Sequence, residues 1–438
     1  MMPRLAVPLG SPDALRQLLA SRGIGAADDE SLLRIARAPE HKLAVTMLSG
    51  WEAAGRSLRP EQSAELSDNR RRIDRYRSTW TVITGAAPGA HLVKGAMIAA
   101  HYPPGLLRAA GDMDVICPAD QLWRAARALA AQGWQLGAFT IVRARVGSVS
   151  GSDPDDAVGQ PEISIELNQP SDSADIDEAY GVELRTVDVA TSLRMSAWRL
   201  SGAPMPPVAA SILALAAERW ERPFRSRDIY DLAVLCDHLD EAERTSLSAA
   251  LTITGLWPEM RELSGLLRRS GLRPEPRLPG GRRAAWRARA VRLARMPARW
   301  SHPLRILGYL TIATVDTDRG ALADRLSRVV HERIGTWRLL RLGLPLFAVP
   351  LPAVPPDPGS PGDEPSAERP SGATAELPDG EREPDQMRLV RRGSHLVALT
   401  PIGSFLMVVG SCQESWLEEA AAGPREAVPE PAAGQPRG

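Results

Sequence analysis

Two aspartates separated by one residue form the most informative motif of the chain. Asp112-Met113-Asp114 opens an apolar run that continues through Val115 and Ile116. Alternate side chains of a β-strand point to the same face, so both carboxylates are expected on one side and Met113 on the other. Neighbouring carboxylates repel each other unless a cation neutralises them, and their oxygens suit Mg²⁺ or Mn²⁺ together with phosphate. The plainer alternative is a surface turn with two solvated aspartates.

A second motif, Lys94-Gly95, follows the apolar segment from His91 to Val93 and precedes a predicted helix. Backbone N–H groups and a helix N-terminus at such a position attract anions. Lys94 and Lys42 are the two lysines of the chain, against about fifty arginines. Because an arginine would have supplied any positive charge, the lysine indicates a specific contact between a compact ammonium and phosphate. A strand-ending lysine followed by a glycine turn explains the same residues.

The elements that position these motifs alternate between strands and a helix over about residues 79 to 190. Short runs of alternating or apolar residues predict strands at 80–84, 91–93, 113–117, 139–142 and 163–167. Residues 122–136 have apolar positions at helical spacing and predict a helix. The expected fold class is therefore α/β, of the α+β kind, with a small mixed sheet.

Regions of different composition flank this core. Helical periodicity, proline content and short strand patterns divide the rest of the chain. The predicted regions are a helical N-terminal region at 1–78, the α/β core at 79–190, a helical region at 191–349, an acidic proline-rich linker at 350–386, a β-hairpin at 387–412 and a disordered tail at 413–438. A two-stranded hairpin is only marginally stable alone, so we expect it to dock onto the main body or a partner.

Arginines are concentrated in the stretch from Arg261 to Arg299, which contains a predicted helix from Arg282 to Arg295. Clustered arginines around Trp286 could hold an anionic acceptor such as tRNA. A solvated helix face that pairs with the acidic linker is the plainer interpretation.

The chemical motifs together resemble the nucleotidyltransferases of the DNA polymerase beta-like superfamily, closest to its uncharacterised bacterial branch and to the AbiEii-type toxins. In that pattern an apolar strand ends in Lys-Gly, a helix follows, an arginine lies four residues before the first aspartate, and Asp-x-Asp opens a strand. The matching residues are Lys94-Gly95, Arg108, Asp112 and Asp114. The resemblance covers residues 91–170 and, more loosely, 195–240.

The resemblance implies a third carboxylate on a neighbouring strand, for which Glu166 is the candidate. In the segment 163–167 the isoleucines and the leucine take one face and leave Glu166 on the other. An exposed strand glutamate with no function is the alternative. Asp153, Asp155 and Asp156 compete for the role, but Gly-Ser-Asp-Pro is turn chemistry, and we assign them to a hairpin loop.

The implied activity is the transfer of a nucleoside monophosphate from a nucleoside triphosphate (NTP) to an acceptor hydroxyl, with release of pyrophosphate. The implied catalytic and metal-binding residues, which would hold Mg²⁺ or Mn²⁺, are Asp112, Asp114 and Glu166. The implied nucleotide-binding residues are Lys94, Gly95 and Arg108. The acceptor stays open among a small molecule, a protein or peptide, and tRNA.

One departure from the family keeps a second interpretation open. Better-known members have Gly-Gly or Gly-Ser at the triphosphate loop, whereas Ala96 and Met97 follow Gly95 here. The missing hydroxyl donor favours a non-catalytic relative that binds a nucleotide or a partner protein.

A later segment also resembles AbiEii-like enzymes, in which an Arg/Lys-Asp-x-x-Asp helix helps to shape the nucleotide pocket. The residues concerned are Arg225, Arg227, Asp228 and Asp231. A helix N-terminus capped by Ser226 or Asp228 accounts for them equally well.

Composition limits the remaining classes of function. Lysine plus arginine and aspartate plus glutamate both number 53, so whole-chain charge favours neither nucleic acid nor an anionic membrane as partner. Cys117, Cys236 and Cys412 are too scattered for a disulfide framework or a zinc site. No apolar run reaches the roughly 18 residues that would span a bilayer. We expect a cytoplasmic protein with no membrane partner.

Overall fold

The structure is a computed structural model. It describes residues 8–26, 28–148, 158–170, 179–190, 197–201, 205–220, 222–279, 283, 286, 335–341, 346–351, 387–392, 395–408, 412, 414–422 and 425–427.

Helices precede and follow the α/β core along the chain, and two of those described lie within it. They are α1 (Pro12–Ser21), α2 (Asp29–Arg37), α3 (Ala44–Ala53), α4 (Pro60–Ala86), α5 (Gly95–Ala99), α6 (Leu122–Ala130), α7 (Pro207–Ala217), α8 (Ser226–Cys236), α9 (Glu241–Thr254), α10 (Trp257–Ser270), α11 (Thr336–Arg341) and α12 (Glu414–Ala422). A 3₁₀ turn, Glu218–Trp220, continues α7.

The strands come in two groups along the chain. The first is β1 (His91–Val93), β2 (Asp112–Ile116), β3 (Gln135–Ser148), β4 (Val158–Gln169), β5 (Tyr180–Arg185), β6 (Val189–Ala190) and β7 (Ala197–Ser201). The second is β8 (Leu346–Pro350), β9 (Arg388–Arg392), β10 (His395–Thr400), β11 (Gly403–Val408) and β12 (Arg425–Ala427).

These strands form one mixed sheet with the order β1-β2-β5-β4-β3-β8-β11-β10-β9-β12, and β7 and β6 branch from β3. β2 and β5 are parallel, whereas β1 with β2, β4 with β5 and β3 with β4 are antiparallel. The strand beside the Asp-x-Asp strand is therefore β5, although β3 and β4 come earlier in the chain. The mixed α/β class expected from the sequence is confirmed.

The two faces of the sheet differ in chemistry. Alternation places Met113, Val115, Val182, Leu184 and Ile165 on the face that packs against α4 and α6. The apolar core on that face removes these side chains from water. The other face carries the polar side chains of the same strands, so the strand alternation itself creates a polar surface that the helical region partly covers.

A second core joins the helices before and after the sheet. Buried leucines of α1, α2 and α3 pack with those of α7, α8, α9 and α10, and Ile98 of α5 is fully buried in the same cluster. The N-terminal and middle helical regions therefore share one core, which holds α5 beside the polar face of the sheet.

The predicted strand at 80–84 is wrong, because α4 continues from Pro60 to Ala86 and crosses the boundary expected at residue 78. The run Thr81-Val82-Ile83-Thr84 favours a strand locally. In the helix, however, Ile83 is fully buried in the sheet core, and the hydroxyls of Thr81 and Thr84 donate hydrogen bonds to carbonyls four residues earlier. Tertiary packing therefore overrides the β propensity of this run.

Two other boundaries move. The helix expected over 122–136 ends at Ala130, and Gly133 then turns the chain with φ 84°, so that Gln135 already begins β3. The start predicted for the linker, residue 350, is two residues too early, since Pro350 is the last residue of β8 and Leu351 is buried. Residues 352–386 of that linker lie outside the described residues.

The C-terminal part is more ordered than expected. The predicted hairpin is β10 and β11, and β9 adds a third strand. It docks onto the main sheet through β8, which pairs with both β11 and β3. The tail predicted to be disordered contains α12, whose Trp416 and Ala420 are buried. Sequence inspection missed this helix because its apolar positions are few and lie among glutamates and alanines.

Candidate functional site

A row of carboxylates crosses three strands on the polar face of the sheet. Paired positions in a sheet share a face. Asp114 of β2 is opposite Glu183 of β5, which is opposite Glu166 of β4. In the adjacent row, Asp112 is aligned with Gly181, whose missing side chain leaves space beside the aspartate. The sequence-predicted acids thus lie on one face, with a glutamate between them that sequence reasoning missed.

A cleft of about 340 Å³ lies over this face. Its sheet wall includes Asp112, Asp114 and Glu166. We call the residues contributed by the loop before α3 and by the segment from α7 to α8 the helical wall, which comprises Lys42, Leu215, Glu218, Arg222, Arg225, Arg227 and Asp228. Lys94, Gly95 and Arg108 also line the cleft, so all six residues predicted from the sequence meet in one place.

The two aspartates have different environments. Asp112 is exposed, whereas Asp114 is only 4% exposed. Burial raises the pKa of Asp114 to about 7 although Lys94 opposes the rise, and the neighbouring charge of Asp112 adds to it. Asp114 therefore gains most from a nearby cation, because a cation removes the penalty of burying its charge.

Lys94 has an unusual backbone and a crowded ammonium. Its φ of 59° and ψ of −150° fall in a region that only glycine adopts readily. Its Nζ lies 2.5 Å from Glu218 Oε1 and 3.4 Å from Asp114 Oδ2. Burial alone lowers the pKa of Lys94, but Asp114 and Glu218 raise it above its ordinary value. The lysine expected to contact phosphate thus neutralises two buried carboxylates in this conformation.

Gly95 brings the backbone close to the aspartates. Its φ is 41°, and a Cβ atom added to it would lie 3.3 Å from the carbonyl oxygen of Asp112. A side chain at this position would therefore press against β2. The helix that Gly95 opens has only five residues, so its N-terminus contributes less to anion binding than the sequence suggested.

Glu218 is a site residue that the sequence did not reveal. It follows the apolar helix α7 and binds Lys94 and, at 3.0 Å, Arg222. Although burial raises its pKa, these two cations lower it to about 2. Its partner Lys94 is distant in the chain and no motif links them, so only the three-dimensional fold brings the pair together.

Arg108 has a partner other than the one expected. The resemblance implied that Arg108 binds the nucleotide, but its guanidinium forms a bidentate ion pair with Asp231 of α8, with Nη2 to Oδ2 at 2.8 Å. The hydroxyl of Tyr102 donates to the other oxygen of Asp231 at 2.6 Å. Arg108 and Asp231 belong to separate sequence motifs, and the structure joins them in a buried contact that holds α8 beside the cleft.

The two candidates for the third carboxylate differ in position. Adjacent strands are about 4.8 Å apart, so Glu183 is one strand spacing from Asp114 and Glu166 about two. Glu166 is exposed in the cleft, whereas Glu183 is half-buried, accepts a hydrogen bond from Ser164 Oγ at 2.7 Å and is not in the cleft lining. Sequence order suggested β4 as the neighbour of β2, and the sheet order corrects this to β5.

Three side chains of α4, Asn69, Arg72 and Tyr76, fix the backbone before Asp112, and we call them the backbone clamp. The clamp binds the segment Ala110-Gly111 that leads into β2 and the start of β5. The guanidinium of Arg72 donates to the carbonyls of Ala110 and Gly111 at 3.3 Å each, and to that of Ala179 at 3.2 Å.

The other two members of the clamp complete the contact. Tyr76 donates to the Gly111 carbonyl and accepts from the Gly181 N–H at 3.1 Å. Asn69 accepts a hydrogen bond from the Ala110 N–H at 2.8 Å. The long helix α4, which the sequence split at residue 78, therefore positions the first aspartate.

The start of α8 shows the capping expected from the sequence. Asp228 accepts a hydrogen bond from the Arg225 N–H at 2.7 Å and pairs with Arg222 at 2.6 Å. Ser226 instead contacts His41 Nδ1 at 2.7 Å. Arg225 and Arg227 point into the cleft, so this segment both starts a helix and lines the site.

The chemistry of the acids fits a hard divalent cation. Within the described residues, no three acidic, histidine or cysteine side chains converge closely enough to hold a metal by themselves. Mg²⁺ usually binds proteins through one or two carboxylates and takes its remaining oxygens from water and phosphate. Asp112 and Asp114, on one strand face, meet this requirement for Mg²⁺ or Mn²⁺.

Some sequence predictions lie outside the described residues. They are the competing acids Asp153, Asp155 and Asp156, and all of the predicted arginine-rich helix except Arg283 and the exposed Trp286. Within the described part of the chain, no helix has the length and apolarity needed to cross a bilayer. Comparison with protein-family models, with curated proteins and with solved structures finds no match for this chain.

Proposed function

We propose that the protein is a metal-dependent nucleotidyltransferase that moves a nucleoside monophosphate from an NTP to an acceptor hydroxyl and releases pyrophosphate. The observation that carries the proposal is the meeting of Asp112, Asp114, Lys94 and Gly95 in one charged cleft. The spacing of two carboxylates on one face suits Mg²⁺ or Mn²⁺, and the surrounding cations suit phosphate.

Each residue has a role that follows from its position. Asp112 and Asp114 would hold the metal, which when bound neutralises phosphate charge and lowers the pKa of a hydroxyl. Glu183 or Glu166 would orient the acceptor hydroxyl. As the acceptor hydroxyl gives up its proton to this carboxylate and its oxygen bonds to the α-phosphorus, the bond from the α-phosphorus to the oxygen of the β-phosphate breaks and pyrophosphate leaves. Lys94 and the other cleft cations stabilise the charge that develops on the phosphates.

Arg108 is a positioning residue in this proposal. Its bidentate pair with Asp231 uses two of its donor atoms and places α8 against the cleft. We infer a cytoplasmic location, because Cys117, Cys236 and Cys412 are odd in number and too scattered along the sequence for a disulfide framework. The acceptor remains a small molecule, a protein or peptide, or tRNA.

A second candidate function is a non-catalytic relative that binds a nucleotide or a partner protein. It is favoured by the contact of Lys94 with both Asp114 and Glu218, which occupies the lysine and an aspartate together. The absence of a hydroxyl at Ala96 and Met97 favours it as well.

One experiment separates the two functions. The full chain is incubated with each NTP, Mg²⁺ and pools of acceptors, and the masses of the acceptors are then measured by mass spectrometry. A nucleotidyltransferase adds one nucleoside monophosphate to an acceptor, and Asp112→Asn with Asp114→Asn abolishes the addition. Asp120→Asn, in the exposed turn before α6, is the matched control and should retain it. Binding of NTP with no addition to any acceptor would support the non-catalytic alternative.

A further inference from the structure

The helical wall of the cleft carries a buried arginine that forms no ion pair within 4 Å among the described residues. Arg227 is 9% exposed and lines the cleft, and its Nε makes no hydrogen bond. Among the described residues, no carboxylate forms an ion pair with Arg227 or with its neighbour Arg225. The charge of Arg227 helps to lower the pKa of Glu218, but within the described part of the chain no carboxylate contacts the guanidinium directly. A buried guanidinium without a direct contact is costly, so its retention at a cleft indicates an anionic ligand.

The acids nearby are already engaged by other cations. Arg222 pairs with Asp228 at 2.6 Å and with Glu218 at 3.0 Å. Lys94 takes the other oxygen of Glu218. Burial and the positive charges of Arg222 and Arg227 lower the pKa of Arg225. Among the described residues of this wall, the four cations Lys42, Arg222, Arg225 and Arg227 therefore outnumber the two carboxylates of Glu218 and Asp228.

A loop of the N-terminal region adds Lys42 to the same wall. Backbone N–H groups of Ser226 and Arg227 donate to the carbonyls of Glu40 and His41, each at 3.1 Å. These contacts fix the loop on the start of α8 and place Lys42 in the cleft lining.

The backbone of Lys42 has a positive φ angle, which is unusual for a residue other than glycine. Among the described non-glycine residues, only Lys42 and Lys94 have positive φ, at 50° and 59°, and they are the two lysines of the chain. Glycine would adopt this conformation without strain. A lysine kept there despite the strain indicates that the ammonium itself is needed in the cleft.

We propose that Lys42, Arg225 and Arg227 form a phosphoryl-binding subsite on the helical wall, separate from the carboxylates that would hold the metal. Three convergent cations, one of which has no ion-pair partner among the described residues, match a phosphate dianion better than a carboxylate monoanion. The phosphoryl group belongs either to the terminal phosphate of the nucleotide or to a phosphate on the acceptor. The choice between these two sources rests on the proposed function, whereas the binding of a phosphoryl group at this wall does not.

The test uses the full chain and inorganic pyrophosphate in buffer containing EDTA, so that neither metal nor acceptor is required. Calorimetry is expected to show binding by the wild type. Arg227→Gln and Lys42→Gln should each weaken it by about tenfold or more, the scale of one lost charge-assisted contact. Arg219→Gln is the matched control, because Arg219 lies between Glu218 and Arg222 in the chain but is not in the cleft lining and pairs with Glu262. Unchanged affinity in both subsite variants, or no binding by the wild type, overturns the subsite.

Two further variants keep the test decisive. Arg225→Gln replaces a less buried arginine and serves if Arg227→Gln fails to fold. Lys42→Gly relieves the positive φ, so we expect its melting temperature to stay the same or rise while pyrophosphate affinity falls about tenfold. A Lys42→Gly protein with wild-type affinity counts against the lysine as a ligand.

Nucleotides then identify the source of the phosphoryl group. A loss for ATP about tenfold larger than for AMP in Arg227→Gln assigns the terminal phosphate of the nucleotide. No loss for ATP or AMP, with a loss for ribose 5-phosphate, assigns a phosphate on the acceptor. The subsite and the proposed function fail separately. If pyrophosphate binding depends on Arg227 but the protein never transfers a nucleotide, only the proposed activity is rejected. If the protein transfers a nucleotide but pyrophosphate binding does not depend on Arg227, only the subsite is rejected.

Discussion

At the scale of single residues, the contact between Lys94 and its two carboxylates controls the charge of the cleft. The ammonium lies between Asp114 and Glu218, and a cation bound to Asp114 must share the carboxylate with it or displace it. Because all three side chains are largely buried, removal of the lysine leaves two acids without their main neutralising partner.

Replacing Lys94 with methionine should therefore destabilise the protein by about 3–5 kcal/mol, the usual cost of breaking a buried ion pair from one side. Urea denaturation followed by circular dichroism measures the loss. The double variant Lys94→Met with Glu218→Gln should recover part of it, since one stranded carboxylate becomes neutral. If the single variant is as stable as the wild type, Lys94 is not the structural cation that this geometry indicates.

The row of acids makes a second prediction at this scale. Glu183→Gln should lower single-turnover release of pyrophosphate by about 10² or more, because Glu183 lies next to Asp114 in the sheet. Glu166→Gln, two strands away, should reduce it only a few-fold. Equilibrium binding of the NTP with Mg²⁺ serves as the control and should change little in either variant. A large loss for Glu166→Gln alone would restore the assignment made from the sequence.

At the scale of elements, α4 shows how the fold sets the geometry of the site. Three side chains one helical turn apart bind the backbone before Asp112 and the start of β5. Because β2 and β5 are parallel neighbours, holding both their starts fixes the register that places Asp114 opposite Glu183. The helix thus acts on the carboxylates through backbone atoms and contributes none of the carboxylates itself.

Arg72→Lys tests this clamp. A lysine cannot reproduce the planar fork that contacts three carbonyls, so we expect a loss of about 1–3 kcal/mol of stability and a lower rate with little change in KM. Arg75→Lys is the matched control, because Arg75 precedes Tyr76 in α4 and, within the described part of the chain, its guanidinium donates to the side chain of Gln169 and not to the backbone before Asp112. Equal effects of the two variants on rate would mean that Arg72 contributes general stability and does not position Asp112.

Sequence reasoning works well for short elements with strong local patterns and less well for their neighbours. Strands β1, β2 and β4 and the helix α6 follow from local alternation or periodicity. The same patterns place Asp112 and Asp114 on one face of β2 and Lys94 directly after β1. The long α4 was split because a threonine and valine run resembles a strand, although packing against α6 keeps it helical. Glu218 and Glu183 could not be assigned, since their roles depend on the strand order and on a partner far away in the chain.

At the scale of the whole molecule, the C-terminal strands continue the sheet that carries the site. The ring of Phe405 on β11 packs edge-on against Phe139 of β3, with ring centroids 5.3 Å apart, and Phe139 packs in turn against Trp123 of α6. Among the described residues, two pairs join β8 to β3, Thr140 with Phe347 and Ile141 with Leu346. The aromatic contact is therefore expected to supply much of the link between the two groups of strands.

Phe405→Ala should lower the free energy of unfolding by about 3–5 kcal/mol, the cost of emptying a fully buried aromatic position. The cavity opens beside Phe139, so hydrogen exchange of the β3 amides should accelerate as well. Leu406→Ala is the matched control, because Leu406 is equally buried but points to the other face of β11, into the small cluster with Trp416. It should destabilise β9 to β11 and leave β3 protected. If Phe405→Ala leaves the exchange of β3 unchanged and unfolding splits into two transitions, the C-terminal strands fold as a separate unit, and the sheet that holds Asp112 and Asp114 is stable without them.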